Sequence, residues 1–108
     1  MSIEQENLSE ATTRLQVQGA VTIYEVATLQ QDLLAAVQTF RRVEMDLSKV
    51  DDLDTAGIQL LMVCKQESRR LGHEMSIIAH SNTVVGVFEF LNLAGFFGDP
   101  LVLPAKGD

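Results

Sequence analysis

Between residues 43 and 79 the spacing of apolar residues changes from two to nearly four and back to two. Val43, Met45 and Leu47 alternate with Glu44 and Asp46, the pattern of a strand buried on one face. Gly57, Leu61, Cys64, Ser68 and Leu71 then recur by fours and threes along one face of a helix, and Met75, Ile77 and Ala79 alternate again. A strand, a helix and a second strand in this order form a right-handed parallel crossover, which needs a sheet to pack on. The helix carries its own punctuation. An acidic loop, Asp51-Asp52-Leu53-Asp54, precedes it, with Asp54 placed as the cap. Arg69 and Arg70 suit the negative end of its dipole, and Gly72 supplies a left-handed stop.

The flanking sequence extends the pattern. Leu15 and Val17 before Gln18-Gly19, with Val21 and Ile23 after it, predict a hairpin over residues 11–23. Thr22 and Glu25 have capping-box spacing ahead of a first helix marked by Val26, Leu29, Leu33, Val37 and Phe40. Ser81 caps a third helix whose stripe is Val84, Val87, Phe88 and Leu91. Residues 96–104 read as a packed return segment with a short strand around Leu101 to Leu103. The expected organisation is a flexible tail over residues 1–10, one α/β domain over 11–104 and a short tail over 105–108. In the domain, a mixed sheet of four to five strands has helices packed on it.

Composition narrows the function. A chain of 108 residues that is 46% hydrophobic can build one core without a staple. Fifteen acidic against eight basic side chains give a net charge of −7, which repels phosphate backbones and anionic lipid headgroups. No nucleic acid and no membrane insertion are expected. The start, MSIEQENLSE, lacks the basic and apolar runs of a secretory signal, and residues 84–97 are interrupted by Glu89 and Asn92. A cytoplasmic location is expected.

Few residues offer chemistry. There is no glycine-rich phosphate loop and no nucleophile elbow. His73 and His80 read as solvated turn residues, and Cys64, the sole cysteine, as a small core hydrophobe. Asp46, Asp51, Asp52 and Asp54 raise a magnesium-site reading. Asp52-Leu53-Asp54-Thr55 faintly resembles the motif of haloacid-dehalogenase phosphatases, but is one residue short and lacks the later lysine. The favoured reading is a helix cap among solvated carboxylates, with no metal and no cofactor. Thr55 differs from these, because a hydroxyl in the first turn of a helix sits where free N–H groups and the dipole favour negative charge. Thr55, Ile58, Gln59 and Met62 share a face turned away from the core stripe, so Ile58 and Met62 form a candidate partner surface.

The run VEMDLSKVDDLDTAGIQLLMVCKQESRRLG resembles the STAS domain of bacterial anti-sigma-factor antagonists. Asp46-Leu47-Ser48, Asp54-Thr55-Ala56-Gly57 and the helix to Gly72 carry the resemblance, and AVTIYEVATLQQDLL and NTVVGVFEFLNLAGFF extend it to residues 11–103. It implies a non-catalytic interaction switch. Thr55 would be the phosphoacceptor of a serine/threonine kinase that doubles as an anti-sigma factor, with a phosphatase reversing the mark. Asp54, Thr55, Ala56, Ile58, Gln59 and Met62 would form the partner face, and Asp46, Ser48 and Gly57 the structural part of the motif. A phosphate there would oppose an acidic partner surface and obstruct apolar contact. Threonine replaces the commoner serine, as in STAS proteins linked to chemotaxis and in subunits of lipid-transport ABC complexes. The alternative reading is therefore a constitutive assembly subunit.

Overall fold

The computed structural model describes residues 2–98. In chain order the elements are β1 (Ser2–Asn7), β2 (Thr12–Val21), α1 (Val26–Thr39), β3 (Arg42–Leu53), α2 (Thr55–Arg70), β4 (Glu74–His80), α3 (Asn82–Phe90) and α4 (Ala94–Phe97). The strands form a mixed sheet in the order β1-β2-β3-β4, with β1 antiparallel to β2 and the other neighbours parallel. Successive right-handed crossovers in one direction lay α1 and α2 on the same face. There Leu15, Val17, Val43, Met45, Leu47, Met75 and Ile77 meet Leu29, Leu33 and Val37 of α1 and Leu61 and Cys64 of α2. The other face is a ladder of paired polar groups. Arg14 bonds Glu44 at 2.8 Å, and Gln16 donates to Asp46 at 3.1 Å.

The expected tail is a strand. Residues 2–7 pair in register with β2 from Ser2↔Gln18 to Asn7↔Thr13, with Ile3 packed against the core. Its polar composition suits an edge strand with little apolar burial, which is why it lacks the usual strand signal. The expected hairpin at Gln18-Gly19 is absent because β2 runs straight through both residues. Gly19 adopts a φ of 90° at an irregularity in the pairing with β3. A glycine inside a strand pattern is here a bulge and not a turn.

The acidic loop is likewise mostly strand, since β3 continues to Leu53. Pairing moves from Gln16↔Asp46 to Gln18↔Lys49 and from Gly19↔Val50 to Ala20↔Asp52, so β3 carries one extra residue at each step. Each insertion shifts the inward-facing position by one. The buried residues accordingly run 43, 45, 47, then 50 and 53, and strict alternation ends where the sequence reads as a loop.

Other expectations also change. The Thr22–Glu25 capping box does not form; Glu25 is the N-cap of α1 without a side-chain bond, and the Thr22 carbonyl accepts from the Glu25 and Val26 amides instead. His80 is 1% exposed, edge-on to Phe88 at 5.7 Å, and His73 is half-buried with Nδ1 2.9 Å from the Val37 carbonyl oxygen, so neither is a solvated turn residue. Ser81 caps α3 as expected, accepting from the Val84 amide at 3.1 Å. Burial pushes the Cys64 thiol up to about 12, consistent with an inert core position. The strand expected around Leu101 to Leu103 lies outside the described residues. Among the described residues, no helix is long and apolar enough to cross a membrane.

Candidate interaction site

The site is built on the junction between the end of β3 and α2. Asp54 is the N-cap, in extended backbone, and its Oδ1 accepts the Gly57 amide at 2.9 Å. Its Oδ2 accepts the Ile23 amide at 2.9 Å, tying the segment after β2 to the same helix start. These two bonds, from Gly57 foremost and then Ile23, hold the Asp54 carboxyl below the usual carboxylate range. With both oxygens so engaged, Asp54 is committed to backbone amides. No group of three or more His, Cys, Asp or Glu able to hold a metal occurs among the described residues.

Gly57 closes the junction from beneath. A Cβ at this position would lie 2.0 Å from the Val21 carbonyl oxygen and 2.9 Å from Leu53 Cδ1. Only a glycine lets the first turn of α2 press against the end of β2, which fixes where Thr55 stands. Thr55 is the first residue of α2 and is exposed. The positive end of the α2 dipole lies at the turn that carries its side chain.

The anticipated face of α2 is divided. Thr55 and Gln59 are exposed, and Ala56 and Met62 are half-buried. Ile58 is only 5% exposed, a correction to the expectation that it stands free. It forms the wall of a groove between α2 and α3. Leu53, Asp54, Thr55, Ile58, Asn82, Thr83, Gly86, Val87, Phe90 and Leu91 line this groove. A helix face alone does not reveal which neighbour covers it.

The sequence reading missed the α3 side of the site. Val84, Val85 and Phe88 are buried, whereas Leu91 is 46% exposed and Phe90 is 87% exposed. The available signal was Phe90, a large apolar residue off the stripe of α3. Ile23 and Tyr24 are both exposed, and the Ile23 amide is bonded to Asp54 at the helix start.

Asp46 and Ser48 do not join this site. Asp46 Oδ1 accepts the Ser48 amide at 2.8 Å across the first bulge of β3. Burial raises the Asp46 pKa, but the bonds from Ser48 and Gln16 outweigh it and leave the carboxyl below its ordinary value. Asp46 faces a separate polar concavity with Glu4, Glu6, Arg14 and Gln16. Asp-Leu-Ser therefore shapes the strand, and Asp-Thr-Ala-Gly shapes the helix start.

A four-stranded mixed sheet with helices packed on it and a bulged central strand make this a SpoIIAA-like α/β fold. The chain belongs to the family described as Mlab, STAS domain, whose model matches residues 4–103. Solved structures share the fold. The unphosphorylated form of the anti-sigma factor antagonist SpoIIAA aligns with a TM-score of 0.75 at 16% identity, over 97% of this chain and 90% of that one. The phosphorylated form of SpoIIAA, a Bacillus cell fate determinant, gives 0.71 at 15% identity over 97% and 93%. An anti-sigma factor antagonist from Mycobacterium paratuberculosis gives 0.79 at 19% identity over 94% and 84%. No curated protein matches the chain.

Proposed function

We propose that this STAS protein is a non-catalytic interaction switch that binds an anti-sigma factor or regulatory serine/threonine kinase and is released by phosphorylation of Thr55. One observation carries the reading: Thr55 is exposed on the first turn of a clamped helix, at the mouth of an apolar groove. In the unmodified state a neutral hydroxyl borders Ile58, Phe90 and Leu91, and a partner's apolar side chains can cover all four. A phosphate brings a charge of about −1.5 to −2. The first-turn amides and the dipole stabilise that charge on the folded protein. A partner that covers it must strip its water against apolar surface, so the modification acts on binding more than on folding. The groove thus favours obstruction and desolvation over repulsion as the source of release.

The constitutive assembly subunit remains the second reading, favoured by threonine at the acceptor position and by the family's Mlab description. Co-purification of the protein from its own cells, followed by incubation with ATP and mass spectrometry of the peptide containing Thr55, separates the two. Phosphorylation of Thr55 that dissociates the partner supports the switch. A stable complex whose Thr55 never becomes modified supports the assembly subunit.

A further inference from the structure

We propose that the outer edge of β1 receives an extended partner segment in which apolar residues alternate with Lys or Arg. This surface is separate from the Thr55 face, because Thr55 follows β3, two strands away, and the proposal does not rest on the switch. In the sheet order β1-β2-β3-β4, β1 pairs with β2 alone among the described residues. An edge strand presents a row of unpaired N–H and C=O groups that an added strand can complete.

The face of β1 toward α1 sets the apolar half of the pattern. Ile3, Leu15, Ala35, Ala36 and Phe40 line a cleft of about 380 Å³ beside the edge, with Asp32 as its one charged residue among those described. Ile3 is only half-buried there. Every second side chain of an added strand would point into this cleft, where apolar groups meet apolar walls.

The opposite face sets the charge. Register places Glu6 beside Arg14 and Arg14 beside Glu44, an acid-base-acid row with salt bridges of 3.9 and 2.8 Å. The neighbouring row runs Glu4, Gln16, Asp46, with Gln16 bonded to Asp46. Glu4 is exposed and makes no ion pair or side-chain hydrogen bond among the described residues. Both rows thus end at the edge in a carboxylate, and a Lys or Arg on the added strand would lie directly opposite it. The same charges disfavour a second copy of this chain. Antiparallel pairing of two β1 strands about a twofold axis keeps even residues opposite even ones. The central registers then set Glu4 against Glu4 or Glu6, or Glu6 against Glu6, and like charges so placed are destabilising.

The test selects displayed random peptides against the full chain and measures the enriched ones by calorimetry, with the Tm of each variant as the check on folding. The proposal predicts enriched peptides that alternate apolar residues with Lys or Arg. Their affinity should fall about tenfold in Glu4→Lys, where an attractive cross-strand pair becomes a repulsive one. If Glu4→Lys lowers Tm, Glu4→Gln replaces it and should weaken binding about threefold at unchanged Tm. N-methylation of one alternate set of peptide amides should abolish binding and of the other set should be tolerated, since only every second amide faces β1. No enrichment, peptides without the alternation, the same response to both methylated sets, or unchanged affinity in the folded Glu4 variant overturns the proposal. A dimer in sedimentation that Glu4→Lys alters also overturns it, because a second copy then takes the edge. Binding lost in Thr55→Asp but kept in Glu4→Lys assigns the peptides to the Thr55 face, which overturns the β1 site and leaves the switch standing.

Discussion

Asp54 and Ile23 are joined across 31 residues of sequence by one carboxylate oxygen, Oδ2, 2.9 Å from the Ile23 amide, while Oδ1 caps α2 at Gly57. The bond ties the exposed Ile23, just past the end of β2, to the N-cap of α2. It also makes the site sensitive to acid. The folded-state pKa of Asp54 is depressed, so its stabilisation is fully present above the unfolded carboxyl value, near ~3.9, and is lost as pH falls through the folded value. Hydrogen exchange should show the Ile23 and Gly57 amides losing protection together below about pH 4. In Asp54→Asn that shared acid step should vanish, and an unchanged step would assign it to another group.

Gly57 and Gly86 make opposite predictions. Gly57→Ala drives a Cβ to 2.0 Å from the Val21 carbonyl oxygen, so β2 and α2 must separate. A loss of about 1–3 kcal/mol or more on denaturant unfolding is expected, as for an overpacked core. Gly86→Ala meets no atom and should gain up to about 1 kcal/mol from helix propensity. Equal effects at the two positions would contradict the packing described.

Much of this fold was legible because its periods are long and clean. The α2 stripe of Gly57, Leu61, Cys64 and Ser68 is buried as its spacing indicates. Leu71, expected on the same stripe, is only half-buried, because it falls at the C-cap where the helix ends. The failures have physical causes. β1 escaped notice because an edge strand buries little, and the end of β3 because its two bulges break alternation. Gly19 signals an unusual φ, but sequence alone does not distinguish a turn from a bulge. At the site, the Asp54 cap and the exposure of Thr55 follow from local rules. The groove depends on where α3 packs, a tertiary fact that no local pattern encodes.

Leu61 tests the helix face. It is 1% exposed within the core, so Leu61→Ala should cost about 2–5 kcal/mol. Denaturant titration giving less than 1 kcal/mol would place the wrong face of α2 against the sheet.

The switch itself is tested most directly by calorimetry of the co-purified partner against three forms of the protein: wild type, Thr55→Val and Thr55→Asp. Thr55→Val preserves the shape of an exposed side chain without the acceptor, so it should bind nearly as tightly as wild type and resist phosphorylation. Thr55→Asp should fold, since the dipole favours its charge, yet bind more weakly by about 1–3 kcal/mol. Desolvation against the groove predicts that added salt leaves this loss in place, whereas repulsion by an acidic partner predicts partial recovery. The account predicts tight binding by Thr55→Val and weak, salt-insensitive binding by Thr55→Asp. Thr55→Asp binding as tightly as wild type, with Thr55 unmodified in cells, would contradict it.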